Sequence, residues 1–307
     1  MYTRYFGFNE KPFNLTPNPR YLFLSRHHRE AFAHLLYGID SHYGFIALTG
    51  EVGTGKTTVL RTLLGQLSEE SYRTALLFNP CLSGVELLRN IASEFGISPE
   101  GEQSGEILAS INRFLISENS AGRTVVLVID EAQNLQPEVL EQIRLISNLE
   151  TSDDKLIQII LAGQPELEQL LCRPELRQLN QRIAIIYRIK PMDRDETAKI
   201  LKHRMEVAGN IDGVSFSKAA MRIIHLNSNG IPRTINIISD RCLIMAFGEE
   251  EREVTGTMAT KACYELADLP ENYVIPAKWL INGLIAFILL MVIAIALILH
   301  RKSAGIL

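Results

Sequence analysis

The sequence predicts an α/β fold, with a three-layer domain built on a parallel sheet, a small all-helical domain after it and one C-terminal transmembrane helix. Three observations support this fold class. Between residues 44 and 190, runs of β-branched and apolar residues alternate with segments of helical spacing, as in sheets covered by helices on both faces. From 191 to 269 only helical spacing is seen. Residues 279–299 carry no charged side chain and are long enough to cross a bilayer as a helix.

These observations predict six parts along the chain. A chain of 307 residues with 47% hydrophobic and 21% charged residues has room for one large or two ordinary folded domains. We expect an N-terminal segment with a leading helix at 1–43, the α/β domain at 44–190, the helical domain at 191–269, a linker at 270–278, the membrane helix at 279–299 and a short tail at 300–307.

A glycine-rich loop follows the first predicted strand, residues 45–49. Residues 50–57 match the phosphate-binding pattern G-x-x-x-x-G-K-[ST] at every defined position. Glycines let such a loop wrap closely around an anion, so that its N–H groups and the next helix N-terminus point at the phosphates. In this pattern Lys56 neutralises the β and γ phosphates and the Thr57 hydroxyl binds Mg²⁺. We therefore predict a P-loop NTPase that binds ATP and Mg²⁺ through Gly50, Glu51, Val52, Gly53, Thr54, Gly55, Lys56, Thr57 and Thr58.

The segments after this loop continue the alternation of strands and helices. The run at 124–129 is continuous, apolar and β-branched, which is typical of a central parallel strand buried on both faces. The other predicted strands are 72–78, 156–162 and 184–189, and the predicted helices are 58–64, 85–95, 107–116 and 137–149.

Two carboxylates, Asp130 and Glu131, stand at the end of the most apolar strand. An aspartate in this place can hold the Mg²⁺ shell together with Thr57, because Mg²⁺ prefers oxygen ligands. The adjacent glutamate can polarise water for attack on the γ phosphate. We predict that Asp130 binds the metal and that Glu131 is catalytic, so that the protein hydrolyses ATP as well as binding it.

Polar side chains after the later strands complete the predicted site. Gln164 follows the strand 156–162, and it lies beside the γ phosphate if that strand neighbours the one that bears Asp130. Arg177 and Arg182 precede the last sheet strand, and an arginine offered to a neighbouring protomer can stabilise the charge of the transition state. Arg182 is our first choice for this role and Arg177 the second. Solvated helix arginines are the alternative for both.

The helical domain offers one further nucleotide contact. Helical spacing is present at 193–207, 217–226, 232–247 and 255–266. Pro232 begins the third of these helices and places Arg233 in its first turn, from which a hinged lid can touch the nucleotide. We therefore predict that Arg233 contributes to both nucleotide binding and catalysis.

The uncharged run at 279–299 predicts a single-pass transmembrane helix. Trp279 with Lys278 stands at one end and Arg301 with Lys302 at the other, where such side chains reach lipid head groups. The first residues lack the apolar core of a signal peptide, which predicts that the ATPase domain stays in the cytoplasm. Basic residues at 301–302 argue for the opposite orientation. Because the domain needs ATP, which is available in the cytoplasm, we predict that the ATPase domain is cytoplasmic.

Composition disfavours other classes of site. The formal charge of −4 gives no basic field of the kind that supplies non-specific nucleic-acid affinity, so nucleic-acid binding is not expected. Histidines and cysteines show no metal-binding spacing. Mg²⁺ is therefore the only metal that we predict.

Together these motifs resemble those of AAA+ ATPases, and residues 1–270 resemble more narrowly the general secretion pathway protein A type, also called ExeA/GspA. The resemblance implies a homo-oligomer with ATP between protomers, in which Gln164 is the sensor 1 residue and Arg233 the sensor 2 residue. It also implies an ATPase anchored in the bacterial inner membrane that helps to assemble envelope machinery for secretion, pili or polysaccharide export. The segments that resemble the family are 6–8, 11–13, 16–22, 28–31, 50–57, 128–133, 161–167, 177–182 and 230–233.

Longer members of this family continue past the membrane helix into a periplasmic region that can bind peptidoglycan. This chain ends with residues 300–307, so peptidoglycan binding is not expected of it. Two other functions remain open beside an ATP-driven assembly protein. One is a nucleotide-gated oligomeric scaffold with slow hydrolysis, and the other is a DNA-linked ATPase of the transposition-helper type, which the acidic balance and the membrane helix disfavour.

Overall fold

A computed structural model of the chain describes residues 1–16, 18–78, 83–149, 155–209 and 213–267. The predicted linker at 270–278, membrane helix at 279–299 and tail at 300–307 lie outside the described residues. Within the described ranges, every helix is too short or too polar to cross a membrane.

A five-stranded parallel sheet forms the centre of the first domain, as predicted. Its strands agree with the predicted ranges to within one residue at each end, because short runs rich in β-branched and apolar residues favour strands. The strand order is β2-β3-β4-β1-β5. The strands are β1 (Phe45–Gly50), β2 (Tyr72–Leu77), β3 (Thr124–Ile129), β4 (Ile157–Gly163) and β5 (Ile183–Ile189).

Helices account for most of the remaining described residues. The first eight are α1 (Tyr2–Phe6), α2 (Arg26–Asp40), α3 (Lys56–Leu64), α4 (Gly84–Glu94), α5 (Ser104–Ser120), α6 (Pro137–Ser147), α7 (Glu166–Leu171) and α8 (Arg177–Asn180). The last four are α9 (Arg194–Val207), α10 (Lys218–Ser228), α11 (Pro232–Gly248) and α12 (Gly256–Ala267).

Two hydrophobic cores lie on the two faces of the sheet. Alternate residues of β3 point to opposite sides, so that Val125 and Leu127 pack with α4, α5 and α6, whereas Val126 and Val128 pack with α2 and α3. All four of these valine and leucine side chains are buried. The predicted three-layer α/β architecture is therefore confirmed.

A separate core forms in the second domain. Buried residues of α9 to α12 form this third cluster. The prediction that residues 191–269 are all helical is wrong in one detail, because β6 (Ser215–Phe216) and β7 (Glu253–Val254) pair as a short parallel sheet. Strands of two residues are too short to show a period in the sequence.

The N-terminal segment packs on this helical domain. Phe6, Phe8 and Phe13 are almost fully buried in its core, and the Phe13 ring meets Phe216 edge-on at 6.0 Å between ring centroids. Helix α2 packs instead on β5 and α3 of the sheet domain. Residues 1–43, predicted as one part, thus contribute to both cores.

The register of the sheet brings the functional motifs to one edge. In parallel strands the carboxyl ends meet at the same edge of the sheet. Thr49 of β1 pairs with Gly163 of β4, and Ile129 of β3 pairs with Leu161. The P-loop, the Asp130–Glu131 pair and Gln164 follow these strand ends directly.

Candidate functional site

The P-loop leaves β1 and enters α3 through glycines that no other residue could replace without strain. Gly53 and Gly55 have φ angles of 80° and 97°, in the left-handed region that favours glycine. A Cβ atom on Gly53 would lie 2.7 Å from Cβ of Arg233, and one on Gly55 would lie 2.8 Å from Nε2 of His28. The loop is therefore enclosed by α2 on one side and by α11 on the other.

Lys56 is buried inside the loop, with 5% of its surface exposed. Its Nζ donates hydrogen bonds to the carbonyl oxygens of Gly50, at 2.8 Å, and of Glu51, at 3.2 Å. Burial lowers the pKa of the Lys56 amine, and the nearby Glu131 and Asp130 carboxylates act in the opposite direction. The loop thus holds a cationic group at its centre, close to two carboxylates.

Thr57 and Asp130 join the P-loop to the end of β3. The Thr57 hydroxyl donates to Oδ2 of Asp130 at 2.5 Å, and Oδ1 of Asp130 accepts the N–H of Glu131 at 2.9 Å. Asp130 is 1% exposed. A hydroxyl oxygen and a carboxylate oxygen side by side are suitable ligands for Mg²⁺, which usually keeps several waters and phosphate oxygens as its other ligands. The residues predicted to bind the metal therefore fit that role.

Glu131 adopts an unusual backbone conformation beside this pair. Its φ of 56° lies in the left-handed region, which costs free energy for a residue other than glycine, and such residues cluster at active sites. Its Oε2 accepts hydrogen bonds from two amides, Nε2 of Gln133 at 2.7 Å and Nε2 of Gln164 at 3.3 Å. The carboxylate is thereby held from two sides.

Gln133 is a residue of the site that the sequence reasoning missed. Besides Glu131, it contacts the end of β4, because its Oε1 accepts the backbone N–H of Gln164 at 3.0 Å. A Cβ atom on Gly163 would lie 2.7 Å from the same Oε1, so that the glycine makes room for the amide. The only signal in the sequence is the position of Gln133 two residues after Glu131.

Arg233, predicted to contact the nucleotide, lies against the P-loop. Its backbone N–H, in the first turn of α11, donates to the carbonyl of Gly53 at 3.3 Å. The turn before α11 contains Gly230, whose φ is 70° and whose added Cβ would lie 2.0 Å from the carbonyl oxygen of Met192. The second domain therefore touches the loop through the start of one helix.

Arg177 and Arg182 are not brought to the P-loop of the same chain. Both are exposed, and Nη1 of Arg182 donates to Oδ1 of Asn148. In the β1–β5 register Ile183 pairs with Phe45, at the opposite end of the strand from Gly50. The five residue steps from Phe45 to Gly50 separate the two ends by about 17 Å.

The other predicted P-loop residues surround this centre. Glu51 and Val52 are exposed, and a carboxylate oxygen of Glu51 lies 3.6 Å from Nη2 of Arg188. Thr54 is buried, and Thr58 is exposed on the first turn of α3. Sequence reasoning also missed His28, whose Nε2 lies 2.6 Å from the carbonyl oxygen of Thr54.

Comparison with known protein families identifies the sheet domain. Residues 39–171 match the AAA domain family. The chain is also similar to general secretion pathway protein A of Aeromonas hydrophila, with 44% identity over 273 residues. That similarity covers 89% of this chain and 50% of the relative, so the chain spans about half the length of that protein.

Solved structures with the same fold come from distant proteins. The Aeropyrum pernix ORC2 protein in its ADP form has 19% identity and a TM-score of 0.63, over 84% of this chain and 73% of that one. CDC6P of Pyrobaculum aerophilum has 22% identity and a TM-score of 0.63, over 83% and 70%. The RuvB Holliday junction branch migration motor of Thermotoga maritima has 18% identity and a TM-score of 0.53, over 80% and 70%. At these identities the likeness concerns the fold alone.

Proposed function

Because the chain belongs to the AAA-domain proteins of the general secretion pathway protein A type, we propose that it is a membrane-anchored ATP hydrolase that drives or regulates assembly of a cell-envelope machine. One observation supports hydrolysis above all. At one edge of the sheet, a buried P-loop lysine, a Thr57–Asp130 oxygen pair and a glutamate held by two amides lie together. These are the groups that ATP hydrolysis requires.

Nucleotide binding is the first part of this proposal. The backbone N–H groups of residues 50–58 and the N-terminus of α3 favour the phosphates of ATP, because they present partial positive charge. The Lys56 amine, now bonded to two loop carbonyls, adds a full charge at the same place. Arg233 closes the site from the second domain, where its backbone already bonds to Gly53.

Hydrolysis is the second part. Thr57 and Asp130 would hold Mg²⁺, which neutralises charge on the phosphate oxygens when it is bound. Glu131 orients a water molecule and accepts its proton as the water oxygen attacks the γ phosphorus; the bond to the β–γ bridging oxygen breaks and ADP leaves. Gln164 and Gln133 keep the Glu131 carboxylate in place through two hydrogen bonds.

Oligomerisation is the third part. Arg182 and Arg177 are exposed, and Arg182 precedes the end of β5 that lies about 17 Å along the sheet from the P-loop of its own chain, a distance that an arginine side chain does not cover. We propose that one of them reaches the γ phosphate bound by a neighbouring copy, where such an arginine stabilises charge in the transition state. The active unit is then a homo-oligomer.

Membrane anchoring is the fourth part and rests on the sequence of residues 279–299 and on the relative. We propose a single-pass protein of the bacterial inner membrane with its ATPase domain in the cytoplasm. The name of the Aeromonas hydrophila relative supports a partner in a secretion apparatus. The machine served could equally be one that assembles pili or exports polysaccharide.

ATP turnover per protomer tests the proposal. We would measure it with the 307-residue chain in detergent micelles over a wide range of protein concentration, with Glu131→Gln as control. Turnover that rises steeply with concentration and vanishes in the control supports an oligomeric ATPase. Negligible turnover at every concentration, although ATP binds, favours the nucleotide-gated scaffold instead.

A further inference from the structure

The imidazole of His28 lies between the start of α2 and the P-loop. His28 is 6% exposed. The backbone N–H of Ser25 donates to its Nδ1 at 3.1 Å, and its Nε2 lies 2.6 Å from the carbonyl oxygen of Thr54. Because Nδ1 accepts a hydrogen bond, the proton of a neutral ring is on Nε2, which donates to Thr54. Both ring nitrogens are therefore engaged in one tautomer.

This contact orients a peptide unit of the P-loop. The C=O and N–H of a trans peptide point in opposite directions. Since the Thr54 carbonyl faces His28, the N–H of Gly55 must point away from α2. A loop that binds an anion needs successive N–H groups turned to its inner side. The Thr54 side chain supports the same geometry, because its hydroxyl donates to the carbonyl of Glu51 at 2.7 Å.

The same turn of α2 is bonded to the second domain. The backbone N–H of Arg26 donates to Oε1 of Glu196 at 2.6 Å, and Oε2 of Glu196 accepts the N–H of Asp193 at 3.3 Å. Glu196 thus caps its own helix, α9, and also the first turn of α2. A carboxylate is favourable at a helix N-terminus because of the partial positive charge there.

We propose that His28, in its neutral form, is a positioning residue that holds the P-loop in its anion-binding conformation and, through the first turn of α2 and Glu196, ties that loop to the helical domain. This inference rests on the proposed nucleotide-binding function. It differs from the Arg233–Gly53 contact, because it acts on a different side of the loop and through a side chain rather than a backbone N–H.

Protonation of His28 would break its hydrogen bond with Ser25, because a second ring proton would lie on Nδ1 and face the N–H of Ser25. Burial lowers the pKa of His28, whereas the hydrogen bond to Thr54 and the nearby Glu196 carboxylate act to raise it and His27 acts to lower it further. The hydrogen bond from Ser25 is therefore intact at neutral pH, and it is lost as pH falls from 6.5, the ordinary value for histidine, through the lowered pKa. Nε2 keeps its proton and its contact with Thr54 in both forms, so that acid pH loosens the start of α2 that carries the imidazole.

Two variants separate the two hydrogen bonds of His28. His28→Gln keeps an N–H donor at the place of Nε2, so that it can still reach Thr54, and it does not titrate. His28→Asn keeps an acceptor at the place of Nδ1, which can cap α2, but it is too short to reach Thr54. His34→Gln is the matched control, because His34 is exposed two turns further along the same helix.

We would measure binding of the fluorescent nucleotide mant-ADP to the 307-residue chain and its variants from pH 7.5 down to the lowest pH at which each stays folded, together with Tm. We expect His28→Asn to weaken binding about fivefold at pH 7.5, the worth of one hydrogen bond, with a Tm close to that of His28→Gln. The wild type and the control should lose affinity at low pH more steeply than His28→Gln does.

Two results would overturn the inference: His28→Asn binds as tightly as the wild type, or His28→Gln loses as much affinity at acid pH as the wild type. If His28→Asn does not fold, the comparison of the pH profiles decides alone. A wild type that binds no mant-ADP overturns the proposed function as well, whereas equal binding by wild type and variant removes only the role of His28.

Discussion

The hydroxyl of Thr57, at the start of α3, donates a hydrogen bond to Oδ2 of Asp130, at the end of β3, over 2.5 Å. The two residues are 73 positions apart in the chain. They meet because β1 and β3 flank β4 in one parallel sheet and end at the same edge. This contact joins the phosphate-binding loop to the acidic strand end, and the predictions below concern mainly the side chains around it.

Removal of the Thr57 hydroxyl should abolish the effect of Mg²⁺ on nucleotide affinity. Thr57→Val keeps the shape of the side chain but removes one oxygen donor and the partner of Asp130. We expect ATP to bind this variant equally well in the presence of Mg²⁺ and of EDTA. Thr57→Ser, which keeps the oxygen, should retain the difference. Isothermal titration calorimetry measures it, and a Mg²⁺-dependent gain in Thr57→Val would refute the assignment.

Replacement of Lys56 by methionine should weaken ATP binding about tenfold to a hundredfold, because a charge-assisted contact with phosphate is lost. Folding should be preserved, since methionine fills the same space and a buried charge is removed. Equilibrium dialysis gives the affinity and thermal unfolding gives the stability. Lys202→Met, on the exposed face of α9, is the control and should bind ATP like the wild type.

Gln133 should affect turnover rather than nucleotide affinity. Gln133→Leu removes the 2.7 Å hydrogen bond to Glu131 and the acceptor for the Gln164 N–H. We expect kcat to fall about tenfold, as for loss of one hydrogen bond to a charged group, with KM almost unchanged. Steady-state kinetics separates the two constants. The exposed Gln178→Leu serves as control, and an unchanged kcat in Gln133→Leu would exclude a positioning role.

Arg182 should act on the nucleotide of a neighbouring copy. Arg182→Ala should lower ATP turnover about a thousandfold or more, and Glu131→Gln should abolish it. When the two variants are mixed, intact sites form wherever Arg182 of one copy meets Glu131 of another, so part of the activity should return. A mixture as inactive as its components, although mixed oligomers form, would exclude Arg182. The same experiment with Arg177→Ala tests the second choice.

Glu118 should matter for stability at low pH and not for turnover. Arg123, and to a smaller extent Arg73, holds the pKa of the buried Glu118 carboxyl below its ordinary value of 4.5. A depressed pKa means that this stabilisation is present above pH 4.5 and is lost as pH falls through the lowered value.

We therefore expect Glu118→Gln to reduce the free energy of unfolding by about 1–2 kcal/mol at pH 7, less than for a fully buried ion pair because both arginines are partly exposed. The difference from the wild type should shrink below pH 4. Urea denaturation at several pH values measures it. A constant difference at all pH values would show that the ion pairs are not its cause.

Local pattern was enough to predict the sheet domain. The central strands β1, β3 and β4 are almost entirely apolar and fully or nearly fully buried, as is typical of parallel strands covered on both faces. The P-loop and the Asp130–Glu131 pair were predictable for a related reason, because their chemistry depends on residues adjacent in the chain. The short β6–β7 pair was not predictable, since two residues show no period and the strands are separated by two helices.

The sequence by itself therefore determined the α/β class, the strand ranges, the approximate ranges of most of the longer helices, and the residues of the loop and of the strand end; the short helices α1, α7 and α8 were not predicted. Only the tertiary structure decided that Gln133 supports Glu131, that His28 holds Thr54, and that the N-terminal aromatic residues pack on the helical domain. The physical reason is the range of the interactions. A strand, a helix or a phosphate loop is specified by neighbours within a few positions, whereas these contacts join segments whose distance in space depends on strand order and helix packing.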